Sequence, residues 1–506
     1  MSEKSKSTIK SIGIVFWVLL LAKIVAFAND AILAAYLGTS MEADAFYMVL
    51  GIQQVLYPML SVGIWKVFLP EYKKRLTLSG RQEADSLANK MLLLFGGISV
   101  VFAGLIFIFH KGIVMICAPG LSVEGKALCG ELLQISAPLY IFIIISTIIA
   151  VMLQCHGKFL GSQIREVVSH IPTIVFAIFL YGKFGVRVLA YSLVVGSILR
   201  LLVELPFIDW GFRFQIRAGG FNHEEKKTLK RIPEALLTAG VEQINTLVDK
   251  IMASGMAVGS ISALNYAHKI MNVFSGLFAS AIGTTLYPKM AQLAAENDHQ
   301  SLENMLRKSI CIISFFMVPI TIGSLFYSEL IIACVFQRGN FGIQATRITA
   351  AVYGFYAIGL LFIGLKDILS NILYSYGNTK AAMKVSMITV ASNVIMNILF
   401  SWFMGANGLA LASSMAAVIN NIVCLVYLRH YLKISYKSII MELIKVLAAS
   451  VLACLISKLP FEWIRIDNIY IQFMIVLLVA VIFYMVIMLL LKSETIQILK
   501  GYKKGK

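Results

Sequence analysis

The stretch that decides the fold runs from Lys23 to Tyr47 and reads KIVAFANDAILAAYLGTSMEADAFY. It begins inside an apolar segment, residues 12–36, that is long enough to cross a lipid bilayer. At about 1.5 Å rise per residue, Lys23 would lie roughly 16 Å into a hydrocarbon core about 30 Å thick. Because a lysine near the bilayer centre costs at least about 2.5–3.5 kcal/mol, we expect its side chain to face protein or water.

A fainter copy of this stretch occurs later in the chain and reads DKIMASGMAVGSISALNYAHKI from Asp249 to Ile270. Each copy joins two apolar segments through a short polar turn, and each carries a lysine within the membrane, Lys23 in the first and Lys269 in the second. Four residues of the first copy, Asp30, Ile32, Ala34 and Tyr47, recur at matching positions of the second as Asp249, Ile251, Ala253 and Tyr266. The pattern predicts a duplicated transporter with a charged cavity between two lobes.

Composition indicates an all-α polytopic membrane protein. Hydrophobic residues make up 59% of the chain and charged residues 14%, with a mean hydropathy of +0.83. A soluble domain is nearer 45–50% apolar and about 25% charged. The net charge of +18 does not indicate nucleic-acid binding, because no soluble module carries a basic stripe interleaved with aromatic residues.

Apolar segments predict fourteen transmembrane helices. They lie near residues 12–36, 45–69, 91–109, 132–154, 164–181, 188–206, 233–253, 263–287, 309–327, 349–374, 385–404, 408–428, 439–457 and 470–491. Most lysines and arginines lie in the connections that are cytoplasmic if the chain starts inside, so the positive-inside rule predicts that both termini are cytoplasmic. Because a step of six helices preserves direction, the two lobes form a parallel pseudo-repeat.

The predicted divisions are an N-lobe at 1–206, a cytoplasmic linker at 207–232, a C-lobe at 233–428, and two further helices with a cytoplasmic tail at 429–506. Within the linker, Asn222 to Arg231 has the pattern of a short amphipathic helix at the membrane surface, or of a plain solvated connection.

No enzyme signature is present: the chain has neither a phosphate-binding GxxxxGK[ST] loop nor an HExxH spacing, and no soluble segment could fold as a nucleotide-binding domain. No catalytic residues are therefore predicted. Transport would draw on an ion gradient, the membrane potential or the substrate gradient, and Na⁺ or H⁺ could be the coupling ion. No other cofactor is expected.

Two groups of residues are candidates for binding. Lys23 and Lys269 could line the cavity and meet an anion, or instead neutralise acidic residues such as Asp30, Asp44 or Asp249 inside a packed bundle. A second set offers oxygen ligands to a small cation, or simple hydrogen bonds between helices. Its members are Asp249, Asn393, Asn397 and Ser413.

Several stretches resemble the MurJ/MviN family of bacterial lipid II flippases, within the multidrug/oligosaccharidyl-lipid/polysaccharide exporter superfamily. The first is AKIVAFANDAILAAYLGTSMEADAFY, and the others follow in the family's order. They are VEQINTLVDKIMAS, ALNYAHKIMNVFSGLFASAIGTTLYP, VFQRGNFGIQATRITAAVYGFYAIGL, ILYSYGNTKAAMKV and NGLALASSMAAVINN.

The resemblance implies a two-lobed flippase of fourteen helices that works by alternating access in the bacterial cytoplasmic membrane. We expect it to function as a monomer. A cationic cavity would bind the pyrophosphate and sugars of an undecaprenyl-linked glycan, with lipid II as first choice. The last two helices would form a groove for the lipid tail. The implied cavity residues are Lys23, Asn29, Asp30, Asp44 and Lys269, and the family's sodium site resembles the Asp249 set.

This sequence departs from the family at its arginines. Lys23 and Asn29 stand where the first helix has arginines, and Leu56 and Tyr57 stand where the second helix has adjacent ones. Arginine can bind a pyrophosphate through two parallel hydrogen bonds, whereas lysine offers a point charge. The cavity is therefore less basic than is typical of the family.

Other functions remain open. The first alternative is a flippase for another surface-polysaccharide precursor. The next is a cation-coupled multidrug exporter of the same superfamily, which an acidic cavity would favour. A membrane-embedded glycan polymerase would need a sizeable outer loop with paired carboxylates, and a non-transporting scaffold is a further alternative.

Overall fold

The computed structural model describes residues 3–216, 219–230, 232–276, 281–376, 379–432, 436–463 and 468–503, and these residues form helices and short connections without a β-strand. Packing divides the chain into a first unit, Met1–Ser262, and a second unit, Ala263–Lys506. Helices of the first unit are α1 (Glu3–Leu37), α2 (Met41–Leu78), α3 (Arg81–Cys117), α4 (Val123–Ser136), α5 (Leu139–Cys155), α6 (Phe159–Phe179), α7 (Tyr181–Phe184), α8 (Arg187–Leu202), α9 (His223–Leu229) and α10 (Ile232–Ala253).

Helix α11 starts in the last residues of the first unit and continues into the second. The helices from there to the C-terminus are α11 (Ser260–Ser275), α12 (Ala281–Ala295), α13 (His299–Phe326), α14 (Ser328–Phe336), α15 (Ile343–Ala357), α16 (Leu360–Ser375), α17 (Thr379–Met404), α18 (Ala406–Leu428), α19 (Tyr436–Trp463), α20 (Ile469–Leu490) and α21 (Glu494–Lys503).

As far as its residues are described, every predicted apolar segment falls on a helix or on two consecutive helices. Among the described residues, nine helices are long and apolar enough to cross a membrane, and two bent pairs pass the same test together, α4 with α5 at 43° and α15 with α16 at 41°. The chain is therefore an all-helical polytopic membrane protein with nine to eleven candidate spans. The count of fourteen stays a prediction.

The turn between α1 and α2 is built by two residues of the opening stretch. Gly38 has φ +57°, in the left-handed region that favours glycine. Ser40 is the N-cap of α2, and its hydroxyl accepts a hydrogen bond from the Ala43 N–H at 3.1 Å. The polar turn predicted between two apolar segments is thus a helix C-terminus followed directly by a capped N-terminus.

Helix α10 packs along α2 through glycines on α2. A Cβ added to Gly63 would lie 2.5 Å from Leu236 Cδ2, and one added to Gly51 would lie 2.6 Å from Lys250 Cδ. Lys250 is only 4% exposed, and its Nζ donates to the Tyr47 carbonyl at 3.0 Å. Small residues let two membrane helices approach closely, and the buried lysine is satisfied by a backbone oxygen.

The predicted linker contains α9, which is docked rather than solvated. Asn222 caps this helix in a reciprocal capping box with Glu225. The Glu225 carboxylate is buried and accepts from Arg75 of α2 at 2.8 Å and from Lys90 of α3 at 3.1 Å. Burial opposes ionisation of Glu225, but these hydrogen bonds and charges outweigh it and hold its pKa below the ordinary value. Whether α9 also touches the membrane surface stays a prediction.

In the second unit, α19 packs against α13 and α20 around a core that includes Phe315, Val446 and Tyr484. The buried Glu442 of α19 holds the start of α21: its carboxylate accepts from the Thr495 N–H at 3.1 Å and from the Thr495 hydroxyl at 2.9 Å. A carboxylate at a helix N-terminus is favoured by the helix dipole. This contact fixes the last helix against the bundle.

Candidate functional site

Three predicted cavity residues lie on α1, and they differ in exposure. Lys23 has an exposed side chain and forms no hydrogen bond or ion pair with any residue that the structure describes. Asn29 and Asp30, about two turns further on, are 7% and 8% exposed. Helix α1 therefore passes from exposed to buried surroundings along the opening stretch, and the exposed Lys23 ammonium is accessible to an anion.

Asp44 is held by backbone rather than by a lysine. It lies in the first turn of α2 and is 3% exposed. Its Oδ2 accepts from the Gly259 N–H at 2.7 Å, and its Oδ1 accepts from the Ser262 N–H at 2.8 Å. These are the first backbone donors of α11, which have no partner within their own helix, so the carboxylate both satisfies them and complements the helix dipole.

The two copies of the duplicated stretch meet at this point within the first unit. Gly259 has φ +94°, and a Cβ added to it would lie 2.8 Å from the Thr39 carbonyl oxygen. The turn after α1 therefore lies directly against the turn after α10. Sequence matching placed these turns at equivalent positions, but it did not predict their contact.

Lys269 and its neighbour His268 belong to the second unit. Lys269 is half-buried and engages other groups of the protein. The ring of His268 lies 5.9 Å from that of Tyr356, and its Nδ1 is 3.2 Å from Asn272 Nδ2. Since Lys23 lies in the first unit and Lys269 in the second, each is described within its own unit, and a shared anion stays a prediction.

The predicted cation ligands divide in the same way. Asp249, 8% exposed, is in the first unit, whereas the other three are in the second. There, Asn393 Nδ2 donates to Ser413 Oγ at 3.5 Å, and Asn397 Nδ2 donates to Asn393 Oδ1 at 3.0 Å. The first of these hydrogen bonds joins α17 to α18, and the second lies within α17. The Asn393 side-chain oxygen therefore already accepts a hydrogen bond from Asn397, as expected for polar contacts between packed membrane helices. The sodium site stays a prediction, and no transport step is derived from it.

The sequence reasoning missed a buried charge network that joins α6 and α8. Arg200, 5% exposed, binds Glu166 at 2.7 and 3.3 Å, and its Nη2 also donates to the Tyr57 hydroxyl at 2.9 Å. Arg165 lies 3.4 Å from the fully buried Glu204 and donates to the Ser146 carbonyl at 3.1 Å. The available signal was the Arg165-Glu166 pair inside an apolar segment, because buried charges require partners.

This network bears on the residues that replace the family's arginines. The resemblance predicts that Tyr57 replaces an arginine of the family's second helix, and the Arg200 guanidinium lies 5.5 Å from the centre of the Tyr57 ring. A cation from α8 therefore occupies the surroundings of Tyr57. Because Arg200 is buried and already bound to Glu166, it does not restore an open positive charge at that position.

Comparison with known proteins agrees over nearly the whole chain. A family model described as "Lipid II flippase MurJ" matches residues 33–479. The chain is 27% identical over 423 residues to a "Probable lipid II flippase MurJ" of Thermotoga maritima, covering 83% of this chain and 84% of that protein. A protein of the same description from Vibrio cholerae is 27% identical over 435 residues, covering 82% of each chain.

Solved structures show the same fold. One described as "Lipid II flippase MurJ, inward closed conformation" superposes with a TM-score of 0.79 at 26% identity, covering 94% of this chain and 99% of that one. An inward-facing multidrug resistance MATE family transporter of the MOP superfamily gives a TM-score of 0.67 at 13% identity, covering 81% and 94%. The second likeness shows the fold alone.

Proposed function

This chain belongs to the MurJ family of lipid II flippases, and we propose on that basis that it moves an undecaprenyl-pyrophosphate-linked glycan precursor from the inner to the outer leaflet of the bacterial cytoplasmic membrane. Lipid II, for peptidoglycan synthesis, is the first choice of substrate. Membership makes the chain a multi-pass membrane transporter and not an enzyme. The movement would proceed by alternating access.

The observation that carries this proposal is the extent of the family match, from residue 33 in the opening stretch to residue 479 in α20. A match of this length includes the opening stretch from Leu33 onward, the second copy of that stretch, the buried network of α6 and α8, and α19 with the first half of α20. The relatives from Thermotoga maritima and Vibrio cholerae are covered over more than four fifths of their own length.

We also propose the full membrane arrangement predicted from the sequence. It has fourteen spans, with six-helix lobes at 1–206 and 233–428, and two helices at 429–506. The coincidence of each apolar segment with helical structure supports it. The distribution of lysines and arginines supports a cytoplasmic location for both termini.

Lys23 and Lys269 are the proposed contacts to the pyrophosphate. The exposure of Lys23 and its lack of a partner among the described residues support this role, because a cation held by a carboxylate would have to be released first. Asn29 and Asp30 lie about two turns further along the same helix and are buried. The Asp44 carboxylate already accepts two backbone hydrogen bonds, and its remaining lone pairs could accept from a lysine during transport.

A flippase for another lipid-linked surface polysaccharide is the second candidate. The surroundings of Tyr57 favour it, since the cation that binds its hydroxyl, Arg200, is buried and ion-paired with Glu166. A cavity with fewer guanidinium groups would hold a pyrophosphate less tightly and would depend more on its contacts to sugars.

Complementation tests the proposal directly. The full chain is expressed in bacteria depleted of their own lipid II flippase, and survival and outer-leaflet lipid II are followed. Rescue would establish lipid II as a substrate. Failure with confirmed membrane expression would exclude lipid II as a substrate and favour another lipid-linked glycan. The same assay in a strain that lacks the flippase for that glycan would then test it.

Two lysine variants test the site. Lys23→Ala and Lys269→Ala should each lower translocation in reconstituted vesicles by about tenfold or more, as expected for loss of a charge-assisted contact to an anion. Lys66→Ala is the matched control, because Lys66 is an exposed lysine of α2 that the proposal does not use. Wild-type rates in both site variants would refute the assigned roles.

A further inference from the structure

A recess in the second unit shares no residue with the proposed pyrophosphate contacts or the predicted cation ligands. Its volume is about 640 Å³, and it lies where α13, α14, α15, α19 and α20 come together. Its polar and aromatic lining includes Phe326, Tyr327, Glu329, Arg347, Lys458 and Gln472. We call this space the α14–α19 recess.

The recess lies at the ends of membrane helices. Helix α13 ends at Phe326, α20 begins at Ile469, and Lys458 is in the last turns of α19. All three helices are long and apolar enough to cross the bilayer. Side chains at the ends of such helices lie at the level of the lipid headgroups, where phosphate groups are concentrated.

The charges of the recess favour an anion. Arg347 and Lys458 both line it with exposed side chains, and neither forms an ion pair with a residue that the structure describes. Glu329 is the single acidic residue among the described lining residues. An arginine and a lysine at one recess offer a two-point donor and a point charge to the same phosphate.

Two sets of contacts define the surroundings of Lys458. The Lys458 ammonium lies 4.9 Å from the centre of the Phe326 ring, a cation–π contact that leaves its N–H donors available. The Tyr327 hydroxyl is occupied by Ser457 at 2.7 Å and by the Cys454 carbonyl at 3.0 Å, which fixes the wall beside Lys458.

Part of the lining is suited to hydrocarbon. Leu330, Ile343, Ile469 and Val476 contribute an apolar wall next to the two cations. A solvated basic patch for a soluble anion would gain nothing from such a wall, whereas a lipid places its phosphate beside its own acyl chains. The combination of cations, apolar wall and headgroup depth selects a membrane lipid.

We propose that the α14–α19 recess binds the phosphate of an anionic glycerophospholipid, with Arg347 and Lys458 as its ligands and the acyl chains against the apolar wall. The proposal does not depend on which lipid-linked glycan the protein transports. It would give the transporter a dependence on the anionic lipid content of its membrane.

Native mass spectrometry of the purified full chain tests the proposal. The detergent-solubilised protein is titrated with phosphatidylglycerol and, separately, with phosphatidylcholine of the same acyl chains. We expect phosphatidylglycerol to bind more tightly, and we expect Arg347→Ala and Lys458→Ala each to weaken its binding by about fivefold, with the effects multiplying in the double variant. Lys458→Arg keeps the charge and should retain binding.

Lys437→Ala is the matched control, because Lys437 is an exposed lysine at the opposite end of the same helix, α19. Thermal unfolding of each variant verifies that its fold is intact. Equal binding of the two phospholipids, or wild-type binding by the double variant, would overturn the proposal. Displacement of phosphatidylglycerol by inorganic phosphate at equal concentration would also overturn it, since the anion would then be a soluble one.

Discussion

Nη2 of Arg200 lies 2.7 Å from Oε1 of Glu166, and Nη1 of the same guanidinium lies 3.3 Å from Oε2, so that α8 and α6 are joined by a two-point ion pair inside the first unit. Arg200 is 5% exposed, whereas the side chain of Glu166 is 38% exposed. Paired in this way, the guanidinium can remain charged away from water.

Removing one partner of this pair should destabilise the protein more than replacing both. Glu166→Gln leaves the buried guanidinium without its carboxylate and should cost about 3 kcal/mol in the free energy of unfolding. The double variant Glu166→Gln with Arg200→Met should recover much of that loss, because no buried charge is then left unpaired. Denaturation of the detergent-solubilised protein measures both. Arg200→Met alone completes the comparison. If the loss of stability in the double variant equals the sum of the losses in the two single variants, Glu166 and Arg200 are not energetically coupled.

Asp44 should stabilise the start of α11 through its negative charge. In Asp44→Asn a single amide oxygen replaces the two carboxylate oxygens that accept from Gly259 and Ser262, so one backbone donor loses its partner. We expect a loss of about 1–3 kcal/mol, measured as a lowered thermal midpoint. Glu83→Gln is the control, since Glu83 is an exposed acid in the first turn of α3. An equal midpoint in the two variants would show that the carboxylate is dispensable.

The docking of α9 should weaken in acid. The pKa of Glu225 is held below its ordinary value in the folded protein, so its contribution to stability is complete above the ordinary glutamate pKa and is lost as the pH falls through the lowered pKa. Hydrogen exchange of the α9 amides should therefore accelerate at acid pH relative to the rest of the first unit. Glu225→Gln should show fast exchange already at neutral pH and little further change. A wild-type protein with pH-independent α9 protection would contradict this assignment.

Two glycine substitutions should have opposite effects. A Cβ on Gly120 would lie 2.2 Å from Gly255 Cα, so Gly120→Ala must displace backbone and should cost about 1–3 kcal/mol. Gly97, within α3, has no neighbouring atom within 4 Å of such a Cβ, and Gly97→Ala should stabilise the helix by up to about 1 kcal/mol. Thermal unfolding compares the two. A lower midpoint for Gly97→Ala than for Gly120→Ala would show that the close approach is not maintained.

Charges within apolar segments mark the limit of what the sequence could predict. Arg200 and Glu204 are spaced to pair along one helix, yet Arg200 binds Glu166 of α6, and Glu204 lies nearest Arg165. Spacing along a helix identifies only the partners on that helix. The rotation of each helix in the bundle, which depends on packing against its neighbours, selects among the others.

The sequence by itself determined the helical elements and the family. Apolar runs of bilayer length must be helical, because backbone groups in hydrocarbon have to be satisfied within their own segment, and the turn at Gly38 to Ser40 is encoded by its own residues. The burial of Asn29, Asp30 and Asp44 could not be predicted in this way, since burial depends on which helix covers which face.

Only the tertiary structure decided which groups these residues contact. It placed Asp44 on the first backbone donors of α11, and it left Lys23 exposed on α1. It also brought Arg347 and Lys458, more than a hundred residues apart in the chain, to one recess. The physical reason is that helices in a membrane form from local sequence, whereas the contacts between their side chains depend on close packing of whole helices, which no single stretch encodes.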